Sequence, residues 1–307
     1  DAASTLMSVL QDAPPGRAQG EQTTFGARAA FYLGEILRTR YEAVQFGKGD
    51  DAAILQQKFG LLNETAQQYV TAIQYGDPEY GIGALYYLGS IQREAADFLE
   101  NAPKPEGLAG DDLAVYQKAL KEQADIQRNE SKNTFKTCRE KAAKLNAFNR
   151  YVRGCLTEKE LPPEQTHAPS RQEVEVPGAD EFKARIIKNP KDVEALAEYA
   201  RSANSVGDHY LAKLIASKAL EISDNNAAAH LAIAVAEIQF GNYQAAYFEL
   251  ERAKELGGGP AVQANMGALY TVIGDSKRAR AAFAAASGAK PADVAPKARE
   301  AASGGGI

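Results

Sequence analysis

Histidine and cysteine are scarce in this chain, at three and two of 307 residues. His167, His209 and His230 fall in a proline-rich stretch, at a turn and near a helix start, none at metal-ligand spacing to another histidine or a cysteine pair. A phosphate-cradling glycine loop followed by Lys-Ser or Lys-Thr is missing, and Gly257-Gly258-Gly259-Pro260 reads only as a turn. So is a Gly-x-Ser-x-Gly elbow. Helix-face carboxylates such as Glu94, Asp97, Glu249 and Glu251 read as solvated. We therefore expect no enzyme, no catalytic residue, no metal and no cofactor. Apolar runs of ~18 residues or more are also missing, so no transmembrane segment is expected. The net charge of −5 argues against a nucleic-acid binder. The chain starts at Asp1 without a basic, apolar leader, which suits a mature secreted form or a cut fragment ahead of a cytosolic protein.

What the chain does have is 45 % hydrophobic and 24 % charged residues, ordinary for a globular protein, and length for two domains. Between Pro190 and Pro291 one pattern is written three times. Gly207, Gly241 and Gly274 lie 34 and 33 residues apart, each followed by a polar residue: Asp208, Asn242, Asp275. Five residues after each glycine comes an alanine (Ala212, Ala246, Ala279), and seven further on another (Ala219, Ala253, Ala286). Eight residues before each glycine stands Tyr199, Ile233 or Met266, followed by Ala200, Ala234 or Gly267. A fixed period with a helix on each side of a Gly-polar turn is the mark of stacked helical hairpins. Small residues at the crossing let two helix backbones approach, and glycine permits the positive φ at which the first helix stops.

The pattern resembles the tetratricopeptide repeat family over about a third of the chain, with repeats at about 193–226, 227–259 and 260–291. The expected fold is all-α: helical-hairpin repeats in two segments. Residues 1–20 read as a flexible leader, 21–160 as a divergent helical domain, 161–180 as a Pro-rich linker, and 181–300 as the repeat domain. In the first half, Phe31-Tyr32-Leu33-Gly34 recurs as Tyr86-Tyr87-Leu88-Gly89, and each resembles the first helix of such a hairpin. A long helix follows from Asp111 to about Leu145, with Asp111 or Asp112 as its cap. Glu181 to Lys188 reads as a lone helix packing on the first full hairpin. Beyond Pro291 we expect a capping helix and a frayed end.

Cys138 and Cys155 are 17 residues apart. On one unbroken helix that is roughly 25 Å, too far to bond. A turn at Asn146 and Asn149 would bring them together; the other reading is two buried thiols. Phe135-Lys-Thr-Cys138 with Phe148-Asn-Arg-Tyr-Val-Arg-Gly-Cys155 is similar to a segment of large tetratricopeptide proteins of the bacterial envelope, including those of gliding machinery. That resemblance implies a periplasmic or envelope location with a disulfide; the alternative is cytoplasmic.

In tetratricopeptide domains the first helices line a concave groove that binds peptides or helices. Carried onto this chain, the resemblance assigns partner contact to Arg201, Asn204, Leu231, Val235, Ile238, Gln239, Asn265 and Thr271. With one arginine, two asparagines and no lysine, that set makes a carboxylate clamp a poor fit. Glu237 stands where the other copies carry Ala203 and Tyr270 and puts the packing of the middle hairpin in question. The expected function is a non-enzymatic scaffold for protein partners, other subunits of an envelope assembly. The alternative is attachment to an anionic polymer or membrane surface through residues 118–153, where ten basic residues face four acidic ones. Lys121, Arg128, Lys132, Lys136 and Arg139 share one helix face there.

Overall fold

Helix follows helix along the chain, thirteen of them with no strand among the described residues, as the periodicity predicts. The computed structural model describes residues 2–47, 50–105, 107–161, 174–290 and 293–296. The chain divides into two compact units, Asp1–Leu161 and Pro162–Ile307.

The first unit holds α1 (Ala2–Asp12), α2 (Glu21–Ala43), α3 (Asp51–Gln74), α4 (Tyr80–Glu100), α5 (Gly110–Lys144) and α6 (Arg150–Thr157). α2 pairs with α3 and α4 with α5, while α6 closes on α4 and α5. The two Leu-Gly pairs mark close approaches. A Cβ at Gly34 would lie 2.5 Å from the Tyr69 ring of α3, and one at Gly89 would lie 3.1 Å from the Phe135 ring of α5. The aromatic core gathers round Phe31, with the rings of Tyr69, Tyr80, Tyr87 and Tyr151 at 5.6–6.2 Å. Buried Lys58 donates to the carbonyls of Tyr41 (2.7 Å) and Val44 (3.2 Å), closing the C-terminal end of α2. Burial pushes its pKa down.

Two expectations are corrected here. Residues 2–12 are not a flexible leader but the helix α1, packed on α2. Its Leu10 joins the core around Phe31, and Tyr75 Oη donates to the Ala13 carbonyl at 2.7 Å. Neither Asp111 nor Asp112 caps α5. The N-cap position is Ala109, without a side-chain bond, and the two aspartates sit in the first turn, where they suit the helix dipole.

The second unit holds α7 (Ala179–Lys188), α8 (Val193–Ser205), α9 (His209–Ile222), α10 (Ala227–Phe240), α11 (Tyr243–Glu255), α12 (Pro260–Ile273) and α13 (Ser276–Ala284). α8/α9, α10/α11 and α12/α13 are successive hairpins, with α10 in contact with both α8 and α12. Gly207, Gly241 and Gly274 have φ of 90°, 83° and 86°, so each first helix stops at the left-handed residue that the pattern requires. Asp208 and Asp275 then cap the second helices, accepting from the amides of Leu211 and Arg278. Ala200, Ala212, Ala234, Ala246 and Ala279 are all fully buried at the crossings. The third copy is shortened: α13 ends at Ala284, leaving Ala286 beyond the helix. Of the linker, 162–173 lies outside the described residues, but Val176 is buried against Tyr199, Ala203 and Ala212 of the first hairpin. α7 lies on the same hairpin through Phe182 and Ile186.

Candidate interaction face

α8, α10 and α12 form one layer of the second unit, and the residues expected to meet a partner all lie on it. The structure divides them. Leu231, Val235 and Ile238 are buried within the chain, which corrects their assignment to an open groove. The reason is the position of α10, which packs on α8, α9, α11 and α12 together. A helix so enclosed is apolar all round because its neighbours cover it. Asn204 is buried as well: its Nδ2 donates to the Ala232 carbonyl at 2.8 Å, tying α8 to α10, and its Oδ1 meets His209 Nδ1 at 2.9 Å. The Thr271 hydroxyl donates to the Gly267 carbonyl of its own helix. Gln239 is half-buried at the end of α10.

Arg201 and Asn265 behave differently, because both engage a segment that follows the last hairpin. The Arg201 guanidinium on α8 pairs with the Asp293 carboxylate. Fully buried Asn265 on α12 donates from Nδ2 to the Asp293 carbonyl (2.8 Å) and accepts on Oδ1 from the Ala295 amide (2.8 Å). A third bond, from Nδ2 to the Ala261 carbonyl at 2.9 Å, fixes the amide on its own helix. Residues 293–295 are therefore gripped from both outer helices of the layer, through one acidic side chain and two backbone groups. Ala295 is wholly buried and Val294 nearly so. The repeat pattern carried no sign of this docking. Its one local signal is Pro296, which biases the residue before it toward extended backbone. Residues 291–292 and 297–307, expected to contribute to a capping helix and frayed end, lie outside the described residues.

Glu237 also finds a role that its sequence position concealed. Its side chain is buried, yet Lys213 Nζ of α9 lies 2.7 Å from one oxygen and Asn242 Nδ2 donates to the other at 2.7 Å. The middle hairpin keeps its packing because both oxygens are satisfied. His230 is likewise a structural bridge, with its ring nitrogens 2.6 Å from Glu249 Oε2 and 3.0 Å from the Asp224 carbonyl.

In the first unit the basic face of α5 is partly spent inside the chain. Arg128 pairs with Glu100 and Asp97, and Arg139 with Glu158 and the Cys155 carbonyl. Lys121, Lys132 and Lys136 are exposed. Cys138 and Cys155 are joined as a disulfide with Cα atoms 5.9 Å apart. The turn that permits it begins after Lys144, passes through left-handed Asn146 and ends at Asn149, whose side chain accepts from the Val152 amide and caps α6. No helix among the described residues is long and apolar enough to cross a membrane. Compared with known proteins, the chain matches no family model and no curated sequence.

Proposed function

We propose that this protein is a non-enzymatic scaffold of the tetratricopeptide kind, holding a segment of a partner protein on the α8–α10–α12 face. The observation that carries the reading is the grip of Arg201 and Asn265 on residues 293–295: the face takes a short stretch of chain by its backbone and one charge. The three hairpins with left-handed glycines at periods of 34 and 33 support the family assignment. An oxidising compartment, and so a periplasmic or envelope assembly, is supported by the disulfide that takes up both cysteines. The competing reading, attachment to an anionic surface through α5, is weakened because two of its five cations are already paired within the chain. A photo-reactive side chain at exposed Ser205, one turn along α8 from Arg201, should crosslink to a discrete partner in cells, and one at Lys218 on the second-helix layer should not. Equal labelling from both positions, or none from 205, defeats the proposal.

A further inference from the structure

The segment on the α8–α10–α12 face reveals what kind of chain the face selects. Three features define it. Arg201 demands an acidic side chain at the position of Asp293. Asn265 reads the carbonyl of that residue and the amide two positions on, a pair presented together only by a locally fixed backbone. Full burial of Ala295 leaves room for a small side chain there. The spacing is thus acid, any apolar residue, small.

The same features make the docking exchangeable. The Arg201 side chain is 40 % exposed, so its pair with Asp293 is open to solvent competition. The segment comes after the third hairpin, and no helix of the array starts or ends within residues 293–295. Simple release is disfavoured, because it would strip the buried Asn265 amide of two bonded partners. Replacement by a second backbone of the same pattern restores them. We infer that the face recognises a partner protein through an acid–x–small segment held in a turn, and that residues 293–295 are the chain's own copy of this ligand, holding the face until the partner displaces it. This rests on the scaffold reading above.

The tether sets the scale of the competition. A short intrachain link gives an effective concentration on the order of millimolar, so a free peptide competes poorly with the tail in place. The test uses the full chain and a fluorescent peptide copying residues 289–298, followed by anisotropy. Ala295→Arg should evict the tail and tighten peptide binding by at least about tenfold over the unmodified chain, with helical content unchanged. Asp293→Lys, which spares the buried alanine, should do the same if Ala295→Arg fails to fold. A peptide carrying Asp293→Lys should bind the evicted chain weakly and recover when Arg201→Glu is added to that chain. Peptide binding that is equally weak with and without the tail evicted, and no recovery on charge reversal, overturns the inference and makes residues 293–295 a fixed part of the fold. Concentration-dependent dimers that vanish in Ala295→Arg overturn it differently, by making a second copy the occupant. Tight peptide binding together with crosslinking from position 205 that is unaltered by Arg201→Glu supports the self-ligand and defeats the scaffold reading instead.

Discussion

Lys213 on α9 reaches Glu237 on α10 at 2.7 Å, across the boundary between two successive hairpins. Glu237 is the one acidic residue inside the helix that is otherwise the most apolar of the repeat unit, and Asn242 takes its other oxygen instead of capping α11. Lys213→Met leaves a buried carboxylate oxygen without its partner and should destabilise the second unit by about 1–3 kcal/mol in urea unfolding. Adding Glu237→Leu to Lys213→Met should recover most of that loss, since removing the buried carboxylate along with its half-exposed cation leaves no uncompensated charge. Additive losses in the double variant would refute the coupling.

The hairpin array was legible because each of its constraints is local. A left-handed turn accepts little but glycine, and a close crossing accepts little but alanine or glycine, so Gly207, Gly241, Gly274 and their alanines repeat visibly. The interaction face was not legible to the same degree. The apolar surplus of α10 reads from one helix as a surface awaiting cover, while the number of neighbours that supply the cover depends on the stack. Arg201 and Asp293 are 92 residues apart, and Lys213 and Glu237 belong to different hairpins, so neither pair leaves a trace in a periodic pattern. α1 escaped for another reason. An 11-residue helix is too short to hold alone in water, and what holds it is docking through Leu10 and the end of the segment at Ala13.

The disulfide ties the long helix α5 to the short α6 and should matter chiefly to the first unit. Opening it frees a loop of 17 residues in the unfolded chain, worth about 3 kcal/mol in the chain-entropy view. Cys138→Ala with Cys155→Ala should therefore lower the denaturation midpoint of the first unit and leave the transition of the second unchanged. A reductant should reproduce the effect in the unmodified chain and do nothing further to the double variant. Equal shifts in both transitions would count against a local role.

Asp192 caps α8, and the Ala195 amide donating to it at 2.9 Å holds its carboxyl below the ordinary carboxylate range, with Arg185 assisting. A depressed folded value means that the unfolded chain takes up the proton first as pH falls. The stabilisation is thus complete above the ordinary carboxylate range and is lost as pH drops through the folded value, below about pH 4. Asp192→Asn retains a capping oxygen but cannot titrate. Its second-unit unfolding should depend less steeply on pH in that acid window, with a smaller change at neutrality. Identical acid slopes for the two proteins would rule out this cap as a contributor.

Gly34 and Gly60 offer the same substitution with opposite expected signs. Gly60 lies inside α3 with nothing within 4 Å of where a Cβ would stand, so Gly60→Ala gains helix propensity alone and should stabilise by about 0.5–1 kcal/mol. At Gly34 the new methyl would stand 2.5 Å from the Tyr69 ring, which is fully buried and hydrogen-bonded through its hydroxyl to Glu35. The ring cannot swing aside without giving up that bond and its place beside Phe31 and Tyr87. Gly34→Ala should therefore destabilise the first unit by about 1–3 kcal/mol, the usual range for overpacking a filled core. Urea unfolding of both variants decides the matter. If Gly34→Ala is as benign as Gly60→Ala, the hairpin crossing tolerates a wider spacing, and the recurrence of glycine at Gly34 and Gly89 needs another cause.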